Sequence, residues 1–303
     1  MENFILTIAF LLIGMGLKRL PMFPKETAQI LNLFVIHISL PALILLKVPQ
    51  LVISSDILTP VVTPWAMLVF SAAILLILAR LRHWSREVTG ALLLLVPLGN
   101  TSFLGIPMVK AFFGEPGIPY AVLYDQLGTC LGFATYGTVV LALYGRSGKG
   151  ERTQARLIVK KIFTFPPLLA LMVAGALHGL TLPALAMALF SSLSTTLVPL
   201  AMIAVGYQLT LRLRPEILQP LCIGLSIKLI AAPLMTILGC QLLGIDSSNI
   251  AVRVAILEAG MPPMVSAGAL AIMAGLAPEL TAAMVGIGIL LSFLSLPLVV
   301  QLL

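Results

Sequence analysis

Three ionisable side chains stand inside otherwise apolar runs of this chain: Asp125 in "YAVLYDQLGTC", Lys228 in "IGLSIKLIAAP" and Glu258 in "AILEAGMPP". At the centre of a helix surrounded by lipid such a residue costs at least about 2.5–3.5 kcal/mol, so each is a functional candidate by default. Glu258, just ahead of Pro262 and Pro263, has the chemistry of a proton or cation site. Lys228 can lend positive charge to an anion, or pair with a carboxylate merely to hold helices together. Asp125 lies in a span with a soft boundary and reads equally as a buried carboxylate or one close to the surface.

A second constellation is uncharged. In "VPLGNTSFLGIPMV" (96–109), Gly99, Gly105 and Pro107 interrupt the apolar run, and Asn100, Thr101 and Ser102 sit beside the interruption. Glycine and proline inside a helix are unfavourable by about 1 and about 3 kcal/mol relative to alanine, and proline also removes a backbone donor. A similar break, "LEAGMPPMVS" (257–266), follows about 160 residues later. At membrane depth, unwound backbone is tolerable only where it is buried in protein or lines a watery cavity. Each break creates a half-helix N-terminus suited to an anion and a C-terminus whose carbonyls suit a cation. Gly99, Asn100, Thr101, Ser102, Pro107, Pro262 and Pro263 are therefore the expected substrate-binding residues. Asp125, Lys228 and Glu258 are the expected ion- or proton-coupling residues. The plainer alternatives are ordinary kinks for the breaks and an interhelical hydrogen bond for Asn100.

Other reactive side chains form no recognisable set. Cys130, Cys222 and Cys240 lack CxxC spacing and are expected to be small buried hydrophobes. His37 and His178 read as hydrogen-bonded packing residues, and His83 as a loop residue. There is no HExxH, GxSxG or Walker sequence, so neither an enzyme nor a metal centre nor a cofactor is expected.

The elements that position these residues follow from composition. The chain has 303 residues, 60% of them hydrophobic and 10% charged, and a mean hydropathy of +1.12. Soluble domains are roughly 45–50% apolar and about 25% charged. Apolar runs of about 18 to 25 residues fit helices crossing a hydrocarbon core of roughly 30 Å, and outer-membrane strands would be shorter and alternating. The expectation is an all-α integral membrane protein with ten transmembrane helices at roughly 3–20, 27–47, 61–80, 88–112, 118–145, 162–180, 184–210, 217–243, 250–275 and 279–302. The first run follows Glu2 rather than a basic region, so it is kept as a span rather than a signal peptide.

The net charge of +7 resides in loops between spans rather than in an aromatic-laced patch, which argues against nucleic acid. Lys18, Arg19, Lys25, Arg80, Arg82, Arg86, the run from Arg146 to Lys161, Arg212 and Arg214 fall on one side. Only Lys47, Lys110 and Arg253 fall on the other. The positive-inside rule then places both termini outside the cytoplasm. The basic run Arg146 to Lys161 reads as a topology anchor with some affinity for anionic lipid. "SLPALILLKV" (39–48) resembles "LVPLAMIAVG" (197–206), with Pro41 and Pro199 in register, and about the same offset relates the two breaks. Halves with an odd number of spans enter the membrane with opposite polarity. The expected organisation is a first five-helix repeat at 1–146, a basic cytoplasmic loop at 147–161 and a second, inverted repeat at 162–303.

"PLGNTSFLGIPMVKAFFGE" (97–115) resembles the signature of the auxin efflux carrier family. "SLPALIL", "PLAMIAVGYQL" (199–209) and "MPPMVSAGALA" (261–271) are similar to further family segments, so the resemblance spans essentially the whole chain. That family includes plant PIN-formed auxin exporters and bacterial carriers described as malate or malonate permeases. The resemblance implies a fold similar to bile acid:sodium symporters, with broken helices four and nine crossing and a transport domain moving against a scaffold. By motif, Asn100 matches the asparagine of the first crossing element, Pro107 the proline after it, and Pro262 the crossing proline of span nine. The central loop of about 16 residues lacks the long cytosolic region of many plant members. Neither auxin specificity nor sodium dependence follows.

The expected function is secondary transport of a small carboxylate such as malate, malonate or an auxin-like acid, with a proton or a sodium ion as coupling ion. The expected location is the bacterial inner (plasma) membrane, among lipids, where a homodimer is compatible with the chain. The rival class is a receptor-like binding protein or a membrane enzyme on the same scaffold.

Overall fold

The computed structural model describes residues 2–51, 54–145, 164–180, 182–209 and 214–303. The expected basic loop at 147–161 and Arg212 lie outside the described residues. Within them the chain is helical, and the β-type pairing is an isolated bridge rather than a strand. Among the described residues six helices are long and apolar enough to cross a membrane: Thr27–Gln50 (α2), Ser55–Leu81 (α3), Glu115–Tyr144 (α6), Ala184–Gln208 (α8), Pro215–Leu242 (α9) and Pro278–Gln301 (α12). Shorter helices are Glu2–Leu17 (α1), Arg86–Leu95 (α4), Pro166–Ala176 (α7), Ile250–Ala259 (α10) and Val265–Met273 (α11). Thr101–Phe113 is α5.

Local chemistry explains where these helices begin and end. The Ser85 side chain accepts from Val88 N–H and caps α4, and Asn249 accepts from Ala251 N–H and caps α10. Such caps satisfy donors that the first turn of a helix leaves free. Pro166, Pro215 and Pro278 open α7, α9 and α12, where the missing N–H costs nothing. Gly114, at φ 71°, ends α5 in a conformation that side chains with a Cβ rarely adopt. The expected span at 88–112 is thus two helices, α4 and α5, separated by residues 96–100. The expected span at 250–275 is likewise α10 and α11.

Large apolar side chains cover the outside, among them Ile5, Leu12, Val69, Leu185 and Leu294. Water would leave such a surface prone to association, whereas lipid suits it. The protein is an integral membrane protein. Cys240 is buried, but Cys130 is only half-buried and Cys222 is exposed, so the expectation of three buried cysteines fails. On an outer face solvated by lipid, an apolar run does not imply burial in protein.

Inside, α1, α2, α7 and α8 pack on one another, and α3, α4, α6, α9, α10, α11 and α12 form a second group. α5 touches both, through α1 and α8 on one side and α6 and α10 on the other. The two larger apolar cores do not follow this grouping: the first runs from α1, α2, α7 and α8 into α5, α6, α10 and α12, and the second lies among α3, α4, α6, α9, α11 and α12. One gathers Ile44, Phe103, Met108, Met202 and Met261, the other Leu92, Leu98, Leu225, Ala267 and Met284. Both helix breaks lie where these cores meet, because Leu98 and Phe103 flank one break and Met261 and Ala267 flank the other.

The seam between α1 and α8 depends on two glycines. A Cβ on Gly14 would run into the Ile203 carbonyl, and one on Gly206 into the Leu11 carbonyl. Close backbone approach through small residues supplies the packing that holds membrane helices together. Gly206→Leu is expected to separate the helices and destabilise the protein by about 1–3 kcal/mol. A melting temperature equal to wild type in a detergent thermal-shift assay would contradict this.

Candidate functional site

The two breaks satisfy each other's backbone. Asn100 N–H donates to the Pro262 carbonyl at 2.7 Å, and Met264 N–H donates to the Leu98 carbonyl at 3.0 Å. Between them Gly99 and Pro263 form an antiparallel bridge. Prolines that cannot continue a helix ladder thereby contribute their carbonyls to a partner outside it.

From this bridge the chain enters α5 through a widened π-type turn, Thr101–Gly105, with the Asn100 carbonyl accepting from Gly105 N–H at 3.0 Å. The turn presents two hydroxyls to α6. Asp125 Oδ1 accepts from Thr101 Oγ1 at 2.5 Å and from Ser102 Oγ at 2.6 Å, and Oδ2 accepts from Gln126 Nε2 at 2.6 Å. Asp125 is 0% exposed, which settles its position in favour of the buried alternative. Its stretch of α6 is also π-helical, and Trp65 of α3 anchors it by donating to the Leu127 carbonyl at 3.0 Å. Gly128 lets Pro64 of α3 pack directly onto α6. Lys228 stands on a third π-type turn, Ile227–Ala231. Turns of this kind recur at functional sites because they re-aim side chains and free backbone groups.

Glu258, in the last turn of α10, is in a different state. It is 0% exposed, yet neither carboxylate oxygen has a hydrogen-bond partner. Its carboxylate occupies the space where a Cβ on Gly105 would be. Lys228 is buried with its Nζ against Gly99, 3.2 Å from where a Cβ on that residue would sit. Glu258 interacts through space with both Lys228 and Asp125, but makes no direct ion pair. Asn100 Nδ2 and Gln126 Oε1 are also buried and unpartnered.

The structure therefore gathers Gly99, Asn100, Thr101, Ser102, Pro262, Pro263, Asp125, Lys228 and Glu258 around one point. Pro107 lies buried in α5 just past the π-type turn, without a polar contribution of its own. Two participants escaped sequence reasoning. Gln126 adjoins Asp125 as a "DQ" pair in an apolar run, which was a usable signal. The role of Gly105 as the seat of the Glu258 carboxylate had no local signal. His37 and His178 are exposed and stand apart from the cluster. Among the described residues no group of three or more His, Cys, Asp or Glu side chains could hold a metal ion.

A buried donor, a buried acceptor and a buried carboxylate that all lack partners are costly unless something else supplies the bonds. Water, a proton, a cation or a polar solute entering between the breaks would do so. Long apolar helices enclosing such a centre define a membrane transport protein. The family described as membrane transport protein matches residues 1–300, and this chain belongs to it; it is the auxin efflux carrier family. An uncharacterized transporter of Methanothermobacter thermautotrophicus is 31% identical over 303 residues, covering 98% of this chain and 96% of the relative. An uncharacterized transporter of Methanocaldococcus jannaschii is 31% identical over 221 residues, covering 69% of each.

The contact between Gly105 and Glu258 is open to test by a double-mutant cycle. Gly105→Ala should force the carboxylate aside and lower stability by about 1–3 kcal/mol. Adding Glu258→Ala should restore most of that loss, and strictly additive melting shifts would show that the two sites do not touch.

Proposed function

We propose that the protein is a secondary active transporter that moves a small organic anion, in the first instance a carboxylate, by alternating access around the paired breaks. The observation that carries this reading is the set of unpartnered buried polar groups beside the Lys228 ammonium, where a carboxylate would find both donors and charge. In this reading Asn100 Nδ2 and Lys228 face the substrate, while Thr101 and Ser102 are committed to Asp125.

Charge balance then suggests the coupling. With Asp125 and Glu258 ionised and Lys228 protonated, the carboxylates outnumber the ammonium, and a second anion is repelled. A proton or a sodium ion on Glu258 removes that excess and lets a carboxylate enter. The ion would enter first and the substrate second.

The same reading takes the chain as ten membrane segments in two inverted repeats of five, with α4–α5 and α10–α11 as crossing broken segments. Two observations support it. Ser39 Oγ lies 2.7 Å from Thr196 Oγ1, where the N-terminal ends of the two similar proline segments meet. Lys47 and Lys110 share Glu115 at 2.7 and 2.9 Å, and Arg253 stacks on Phe113, which gathers the expected non-cytoplasmic cations at one end. The α1–α2–α7–α8 group would act as scaffold and the remainder as the moving body, with both termini outside the cytoplasm of a plasma membrane.

Two experiments test these assignments. Asn100→Ala removes an amide nitrogen that has no partner in the protein, so stability should stay near wild type while carboxylate binding by the purified protein falls below detection. A variant that binds normally would sink the site. In proteoliposomes with imposed pH or sodium gradients, Glu258→Gln should abolish gradient dependence, and full retention would remove Glu258 from coupling.

A further inference from the structure

A pocket lined by none of the residues of the breaks lies at the end of the α1–α8 seam. Its cavity is about 710 Å³, and its walls include Lys18, Arg19, Phe23 and Lys25 from the α1–α2 turn, with Tyr207 and Gln208 from the end of α8. Among the described residues three cations line it and no carboxylate does. Pockets that take small ligands have volumes of about 300–1,000 Å³.

Hydrogen bonds fix its walls. The Tyr207 hydroxyl lies 3.1 Å from the Phe23 carbonyl and 3.0 Å from that of Pro24, close enough to donate to either, and Thr27 Oγ1 donates to Pro24 at 2.6 Å. The Lys18 ammonium donates to the Leu209 carbonyl at 2.5 Å, tying the end of α1 to that of α8. Lys18 is thereby engaged in the frame. Arg19 and Lys25 are exposed, and neither joins any of the ion pairs among the described residues.

The surroundings decide which anion suits the pocket. Leu20 in its lining and the neighbouring Met22 are exposed, as are Ile5, Leu12 and Ile13 of α1 and Ile30 and Leu33 of α2 on the helices that lead into it. A free anion would use the charges alone. A phospholipid would use both features, with its phosphate in the pocket and its acyl chains along α1 and α2. Basic pockets between membrane helices at the interface take anionic headgroups for this reason.

We propose that this pocket is a binding site for an anionic phospholipid, whose phosphate is held by Arg19 and Lys25 and whose occupancy braces the α1–α8 seam. A ligand bound only by the folded protein raises its melting temperature with concentration. Purified protein titrated with phosphatidylglycerol should show a saturable lipid adduct by native mass spectrometry and a rising melting temperature. Phosphatidylcholine with the same acyl chains should do neither.

Arg19→Gln with Lys25→Gln should weaken the phosphatidylglycerol adduct about tenfold or more, since each basic side chain at the surface contributes roughly 1 kcal/mol. Each single substitution should weaken it by a smaller factor, which keeps the test intact should the double variant fold poorly. Arg80→Gln with Arg82→Gln, assigned to the same membrane face but outside the pocket, should leave the adduct unchanged. Wild-type affinity in the Arg19/Lys25 variants, or an equal loss in the Arg80/Arg82 variant, would overturn the proposal. A melting shift with inorganic phosphate as large as that with phosphatidylglycerol would overturn the lipid assignment in favour of a free-anion site.

Discussion

Hydrocarbon offers no hydrogen-bond partner, so every backbone N–H and C=O at membrane depth must be satisfied within the protein. Two helices of this chain are interrupted by glycine and proline, and the interruptions meet that requirement by bonding to each other, Asn100 to Pro262 and Met264 to Leu98. The remaining geometry of the polar centre follows. Pairing the breaks at Gly99 and Pro263 puts Gly99 against Lys228, seats Glu258 beneath Gly105, and swings the Thr101 and Ser102 hydroxyls onto Asp125.

The two buried carboxylates so placed are physically unlike. Asp125 accepts three short hydrogen bonds from neutral donors and is held as part of the frame. Glu258 accepts none. Leaving a buried polar group unsatisfied costs about 1–3 kcal/mol, and more for a charged one, so Glu258 is the group that gains most from an incoming proton or cation. The chain belongs to a family of membrane transport proteins, and the buried polar groups Glu258, Asn100 Nδ2 and Gln126 Oε1 of this centre lack partners within the protein.

The location of the centre between two apolar cores is equally consequential. A single continuous core would resist relative motion, since packed interiors transmit strain rather than yield to it. Here both breaks lie where the two large cores meet, with the π-type turns at 101–105, 124–130 and 227–231 around them, and α3 and α12 pack against this region through Pro64, Trp65 and Gly288.

Much of this was legible in the sequence. Composition and the length of the apolar runs required membrane helices, because solvation energy depends on residue type alone. The glycines and prolines at 99–107 and 260–263 announced the breaks, because backbone propensity is local. The cost of burying charge singled out Asp125, Lys228 and Glu258. What the tertiary structure alone decided was who touches whom: that Asp125 is saturated and Glu258 bare, that Gln126 and Gly105 belong to the centre, and that Cys222 faces outward. Those outcomes depend on the register in which residues more than a hundred positions apart are packed, and register is set by the pairing of the two breaks rather than by any property of the residues taken one at a time.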